Sequence, residues 1–323
     1  MSILIDESTT FIVQGITGRE AVNLTRECLD YGSKIVGGVT PGRKGRDVHG
    51  VPVFDTVEQV IAHNDGRVPN GSVVTVPPAF TKDAVFEAIE NGIRLIVIVT
   101  ERIPRRDVAQ MVELANMRDA RIIGPNCLGL VVPGVAKMGG IGGPARNTEQ
   151  AYQPGSIGVM SRSGGMTTEI SSTLTAAGLG VSTAISIGGD AIIGSAYAEL
   201  MPLFEADEQT EAIVIYTEPG GRMEAQLAEW VAENDSRLPI VAFMAGRFMD
   251  DEEMKGMSFG HAGTIVEGKE DTATEKIARL EAAGIPVVER IDEIPDAVKR
   301  KLNEGNRAHP AEPGASAQKG AAV

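Results

Sequence analysis

Apolar residues fall in short dense runs, and between the runs they recur every three or four positions. Thr10-Phe11-Ile12-Val13-Gln14 is the first dense run; it ends at Gly15-Ile16-Thr17-Gly18 and is followed by a helical stretch through about Tyr31. Brief runs rich in β-branched residues predict strands, and the three-to-four spacing predicts helices. By the same reading, strands are predicted at Ser33–Gly38, Val73–Val76, Leu95–Thr100 and Arg121–Gly124. A looser segment rich in Gly, Pro, Asn and Gln spans Pro133 to Pro154. The alternation then restarts at Ser156–Ser161 and continues at Val181–Ser186, Ala212–Thr217, Pro239–Met244 and Val287–Val288. Strands alternating with helices at this spacing predict parallel, doubly wound sheets. The expected organisation is α/β: one domain over 1–132, a linker over 133–154 and a flavodoxin-like domain over 155–305. From 306 to 323 Ala, Pro, Gly, Ser and Gln can bury little, which predicts a disordered tail.

Composition narrows the function classes. The 38 glycines among 323 residues suit many tight strand-to-helix turns, and aromatic content of only 4% argues against a β-sandwich. A net charge of −14 argues against a nucleic-acid partner, because neutralising phosphates takes Lys and Arg. No apolar run approaches the roughly 18–20 residues that span a bilayer, so no membrane association is expected. Two cysteines, Cys28 and Cys127, are too few for a disulfide framework, and the amino-terminal residues have no basic stretch; both suggest a reducing cytoplasm.

Two places carry candidate chemistry. Gly15-Ile16-Thr17-Gly18 lies between a strand and a helix, where free N–H groups and the helix dipole can hold a pyrophosphate. The third glycine of a dinucleotide fingerprint is replaced by Ala21, and a plain tight turn would read the same way. After the second strand, where an acid would bind a ribose 2′-hydroxyl, stand Arg43, Lys44 and Arg46. Cations there suit a phosphate on the ribose, as in NADP or CoA, though a solvated basic loop has the same composition. The second place is His261, one of four histidines, set between Gly260 and Gly263. Glycines on both sides leave room for a bulky group on the ring. Ser161-Arg162-Ser163-Gly164-Gly165 follows a strand and opens a helix, a setting suited to an anion. Glu218 lies just past another strand's carboxyl end, where a carboxylate could bond an imidazole N–H and stabilise a phosphorylated ring.

Taken together, these residues resemble the α-subunit family of succinyl-CoA synthetases, the nucleoside-diphosphate-forming acid–CoA ligases, from about Ser2 to Lys301. The matching blocks are Gln14–Gly18, Val36–Gly42, Gly124–Cys127, Ser161–Gly164, Gly188-Gly189-Asp190, Thr210–Val214 and Gly260–Gly263. The resemblance implies a Rossmann-like CoA-binding domain followed by a ligase domain. It implies CoA as substrate, an ATP-grasp β-subunit as partner holding ATP or GTP with Mg2+, and an αβ or α2β2 assembly. It places Thr17, Gly18, Arg19, Glu20 and Arg43 at the CoA phosphates, and Val99, Thr100 and Glu101 along the adenosine or pantetheine path. Asn126, Ser161, Ser163, Gly164 and Thr168 would form the loop that meets phosphoryl group and acid. His261 would carry the phosphoryl group and Glu218 would orient it; no metal site is expected in this chain.

Departures from the family pattern cluster at the acid pocket. Gly165 stands where a Thr is usual, Thr168 where a Tyr contacts the acid, and Leu128 where a Pro is usual; Asp250-Asp251-Glu252-Glu253 lies in a lengthened loop. These changes favour a small acid other than succinate, with an authentic succinyl-CoA synthetase α-subunit of the citric acid cycle as the alternative. An NADP-dependent oxidoreductase would account for Arg43 to Arg46 but gives the second domain no role. A CoA-binding regulatory protein would need neither Glu218 nor His261.

Overall fold

The computed structural model describes residues 3–254, 257, 261–266 and 268–308. The amino-terminal half runs β1 (Thr10–Gln14), α1 (Arg19–Asp30), β2 (Lys34–Val39), β3 (Asp47–Val48), β4 (Val51–Phe54), α2 (Val57–His63), β5 (Gly71–Val74), α3 (Pro78–Glu90), β6 (Leu95–Ile98), α4 (Arg105–Met117) and β7 (Arg121–Ile123). These strands form a seven-stranded sheet in the order β3-β4-β2-β1-β5-β6-β7, parallel except for the short β3–β4 hairpin. The carboxyl-terminal half contributes β8 (Gly129–Val132), β9 (Ala136–Met138), α5 (Ala145–Ala151), β10 (Pro154–Ser161), α6 (Gly164–Ala176), β11 (Val181–Ser186), α7 (Tyr197–Glu205), β12 (Ala212–Thr217), α8 (Met223–Asn234), β13 (Ile240–Met244), α9 (Ala273–Ala282), β14 (Val287–Val288) and α10 (Ile294–Ala308). Its seven strands are ordered β14-β13-β12-β10-β11-β8-β9, parallel from β14 to β11 and antiparallel at β8 and β9.

The dense apolar runs of the sequence are strands buried on both faces. In β1, Phe11 and Val13 join one core cluster and Ile12 joins another. In β12, Ile213 and Ile215 point into one core, and Ala212, Val214 and Tyr216 into the opposite one. Side chains alternate across a strand, so a run covered by helices on both sides must be apolar throughout. Helix α1 buries Ala21, Leu24, Thr25 and Cys28, one face at three-to-four spacing. Parallel strands place their carboxyl ends on one edge of each sheet. That edge carries Gly15 after β1, Thr40 after β2, Arg162 after β10 and Glu218 after β12.

The expected linker over 133–154 is corrected by the fold. β9 and α5 lie inside it, and β8, assigned by the sequence to the first domain, pairs with β11 of the second sheet. The glycines hid a β8–β9 hairpin, and a lysine in β9 reads as surface. Lys137 is instead buried, its ammonium held by the Gly143 carbonyl and the Thr148 hydroxyl. At the other end, α10 continues to Ala308, three residues past the expected end of the domain, and residues 309–323 lie outside the described chain.

Candidate functional site

The loop after β12 delivers Glu218 to His261: His261 Nδ1 lies 2.8 Å from Glu218 Oε2. The other carboxylate oxygen, Oε1, accepts from the Tyr216 hydroxyl at 3.0 Å. Burial acts to raise the Glu218 pKa, but the bonds from His261 and Tyr216 and the charge of Arg162 outweigh it and leave it below the usual carboxylate value. An ionised carboxylate only accepts, so Nδ1 donates to it. The ring is partly exposed, with 24% of its side-chain surface accessible, whereas Glu218 is almost covered. This geometry turns Nδ1 toward Glu218 and places a negative charge behind the ring.

The ring packs flat against glycine. A Cβ built on Gly189 would lie 2.5 Å from His261 Cδ2 and 2.6 Å from Cγ, so no larger residue fits beneath the ring as it stands. Gly263 N–H donates to the Gly189 carbonyl at 3.0 Å, and the Thr264 hydroxyl donates to the His261 carbonyl at 2.8 Å. Ser258, Phe259 and Gly260 lie outside the described residues. Of the acidic stretch, Asp250 meets the start of α9 beside its N-cap Thr272: its two carboxylate oxygens accept from Ala273 N–H and Thr274 N–H at 2.7 and 2.8 Å. That ties the segment before the histidine to the helix behind it.

The expected phosphate and acid loop is divided in its contacts. Ser163 is the N-cap of α6, accepting from Met166 N–H, while the Ser161 hydroxyl donates to the Ser163 carbonyl; both hydroxyls shape the loop. Gly164 packs directly on Leu128, with no room for a Cβ. Gly165 is the opposite case, since a Cβ there meets nothing within 4 Å. Thr168 is engaged by the buried Tyr152, hydroxyl to hydroxyl at 2.8 Å. Asn126, at positive φ, donates to Asp190 Oδ1 at 3.1 Å. Burial pushes the Asp190 carboxyl up, against the pull of that bond. Asn126 and Asp190 line a cavity of about 260 Å³ with Glu101, Arg102, Arg105 and Ala262, the neighbour of His261. One cavity therefore joins Glu101 of the first sheet's edge to the histidine segment of the second.

The first sheet's edge gathers most of the remaining candidates. Gly18 is the N-cap of α1 with no side-chain cap, leaving N–H groups at that helix end. The Thr17 hydroxyl meets the Thr40 hydroxyl at 3.2 Å, joining the two loops. Arg19 and Glu20 are highly exposed and paired with each other at 3.3 Å. The basic loop is held by Asp55, whose Oδ1 accepts from the N–H groups of Gly42, Arg43 and Lys44 at 2.7, 3.2 and 3.3 Å. Val99 packs on the core beneath, and the Thr100 hydroxyl donates to the Val76 carbonyl at 2.7 Å. Asp55, Tyr216, Lys276 and Glu224 were not legible as site residues. Each is an ordinary surface or core type in its own segment; the partners of Asp55, Lys276 and Glu224 lie at distances along the chain that no local pattern encodes, and Tyr216, two residues before Glu218, reads as a core strand residue.

Two family models match. One, described as a CoA binding domain, covers residues 6–102; the other, a succinyl-CoA ligase like flavodoxin domain, covers 154–300. The chain is 41% identical over 94% of its length to the α-subunit 1 of the ADP-forming succinate–CoA ligase of Archaeoglobus fulgidus, covering 99% of that protein. It is 40% identical over 90% of its length to a subunit of an ADP-forming sulfoacetate–CoA ligase of an Acholeplasma species, covering 95% of it. Among solved structures it superimposes with a TM-score of 0.86 on ATP citrate lyase from Methanothrix soehngenii, determined with citrate and coenzyme A, at 22% identity. That match takes in 98% of this chain and 53% of the lyase chain, so the likeness there is one of fold and spans about half of the larger polypeptide. With both halves matched in order and near-complete coverage of full-length relatives, the chain belongs to the α-subunit family of the ADP-forming succinate–CoA ligases.

Proposed function

We propose that the chain is the α-subunit of a nucleoside-diphosphate-forming acid–CoA ligase, in which His261 carries a phosphoryl group between nucleotide and acid. The observation that carries this reading is the 2.8 Å bond from His261 Nδ1 to a buried, ionised Glu218, which leaves Nε2 as nucleophile. In the forward direction Nε2 takes the γ-phosphoryl group of a nucleoside triphosphate bound by an ATP-grasp partner with Mg2+, and the diphosphate leaves. A carboxylate oxygen of the acid then displaces His261 to give an acyl phosphate. The CoA thiol, losing its proton, attacks that carbonyl and expels phosphate, leaving the thioester. Each step exchanges one oxygen, nitrogen or sulfur bond, so a single uphill condensation becomes a chain of transfers.

In this reading the N-terminal loop Thr17-Gly18-Arg19-Glu20 and Arg43 receive the CoA phosphates, with Val99, Thr100 and Glu101 along the path inward. The cavity from Glu101 to Ala262 leads from that edge toward His261 and supports a route for the thiol end. Asn126, Ser161, Ser163, Gly164 and Thr168 frame the phosphoryl and acid position, with the N-terminus of α6 beside it. The assembly is αβ or α2β2 and the compartment the cytoplasm.

For the acid, the open space at Gly165 and the engagement of Thr168 by Tyr152 favour a small carboxylate other than succinate. The test combines the chain with its partner subunit and γ-labelled ATP, followed by a panel of small acids assayed for thioester formation with CoA. Acid-labile, base-stable label that disappears in His261→Asn is the expected result. Labelling of that variant would end the proposal, and a strong preference for succinate would end the reading of the acid pocket.

A further inference from the structure

The segment that presents Glu218 is gripped from behind by two buried cations, neither of which the proposed chemistry uses. Lys276, on α9, is buried with an ammonium whose three donors are all engaged: the Glu218 carbonyl at 3.0 Å, the Gly220 carbonyl, and Glu224 Oε2 at 2.6 Å. Glu224, from α8, is fully buried, and its other oxygen accepts from the Thr217 hydroxyl at the end of β12. This ion pair therefore fastens α8, α9 and the end of β12 around one turn. Arg162, after the end of β10, is also buried; its Nη1 donates to the same Gly220 carbonyl at 3.5 Å, while its Nε has no hydrogen-bond partner among the described residues. Gly263 has no room for a Cβ because Arg162 Nη2 stands there, so the guanidinium lies directly against the chain segment that bears His261. Gly220 in turn packs on the Gly263 carbonyl.

A buried guanidinium with an unbonded donor is costly unless its charge is used. Charges to use it are at hand. Glu218 and Asp190 both sense the Arg162 charge, which favours their ionised forms. A phosphoryl group on His261 would add about −1.5 to −2 charge beside Glu218. Without a cation behind the loop, that charge would drive a proton onto Glu218 and remove the acceptor for Nδ1–H. We propose that Arg162 and Lys276 are positioning residues of the phosphoryl carrier: both converge on the Gly220 carbonyl and lock the turn bearing Glu218, and Arg162 also supplies positive charge behind it. This rests on the reading of His261 as the carrier.

The charged and titratable groups that face Glu218 are Tyr216 from β12, His261 from its own segment, Arg162 after β10 and Tyr197 from α7, while Lys276 on α9, paired with Glu224 on α8, meets its backbone carbonyl. Asp190, after β11, senses both His261 and Arg162. Because the Glu218 pKa is held down, its ionised form persists as pH falls until that lowered pKa is reached. Removing the Arg162 charge raises the pKa, so the acid side of the phosphorylation profile must move to higher pH.

The experiment measures the rate of label transfer from γ-labelled ATP to the complex of this chain with its partner, across pH, for wild type, His261→Asn, Arg162→Met and Arg162→Lys. Label on wild type and none on His261→Asn establishes the carrier independently of the proposal. Arg162→Met is then expected to have its acid limb raised by about one pH unit, with labelling up to about tenfold slower at pH values below that limb. Arg162→Lys should return the limb toward wild type because the charge is kept. An Arg162→Met limb at the wild-type pH, or equal profiles for Met and Lys, would overturn the electrostatic role. If Arg162→Met does not fold, the double variant Lys276→Met/Glu224→Leu serves, since it removes the buried pair together. Slowed labelling in a folded double variant supports the proposal, and wild-type labelling overturns it.

Discussion

Replacing Gly189 by Ala adds one methyl group at the place where the account is most exact about geometry. The new Cβ would lie 2.5 Å from His261 Cδ2, 2.6 Å from Cγ and 3.0 Å from Nδ1. Carbon atoms settle about 3.5–4.0 Å apart, so the ring must retreat by about 1 Å or more. The Gly189 backbone is not in the left-handed region, so Ala meets no dihedral penalty and the strain falls on the contact itself. A retreat of that size breaks the 2.8 Å bond to Glu218, worth about 1.5–3 kcal/mol for a charged acceptor. A 1 Å misplacement of a reacting group costs about 10²-fold in rate, the same range when converted to free energy. Overpacking costs the fold about 1–3 kcal/mol at most, since the displaced ring is partly exposed. The assay is the rate of acid-labile label incorporation by the reconstituted complex, with thermal unfolding run alongside. Labelling about a hundredfold slower in a folded protein is expected. Labelling at the wild-type rate would show that His261 does not need the position in which it sits on Gly189.

Other outcomes follow from the same contacts. Glu218→Gln keeps the shape of the acceptor but not its charge, and should slow label transfer about 10- to 100-fold with little change in unfolding temperature. Cys28 and Cys127 are buried, with pKa values pushed up to about 11 and about 12, so neither should alkylate with iodoacetamide at pH 8 until the protein unfolds. Asp250→Ala removes the acceptor of the first two N–H groups of α9, leaving Thr272 as its N-cap, and should cost about 1 kcal/mol, lowering the unfolding temperature by about 2–4 °C.

The strands of both sheets were legible because a parallel strand under two layers of helix must be apolar at every position, as Phe11-Ile12-Val13 and Ala212 through Tyr216 are. The β8–β9 hairpin was not, because its pairing depends on the distant β11 and its middle carries Lys137, whose burial is allowed only by carbonyl and hydroxyl partners several residues on. His261 and Glu218 stood out through glycine framing and strand-end position, two local signals. Arg162 was visible only as part of a loop, and Lys276 and Glu224 not at all. Lys276 meets its acid across 52 residues, on a second helix, and each looks like an ordinary helix-surface charge until the two helices are packed. Asp55, which holds the basic loop through three N–H groups, is hidden for the same reason: an acid after a short strand says nothing of what it will accept.

The central claim is that His261 Nε2 carries a phosphoryl group, and phosphosite mapping under alkaline conditions tests it directly. The chain, incubated with its partner subunit and ATP and kept above neutral pH, would be digested and sequenced by mass spectrometry. One phosphate is expected, on His261, lost after brief acid treatment and discharged by ADP or by CoA with an acceptable acid. A phosphate that survives acid, resides on another residue or persists in His261→Asn would contradict it.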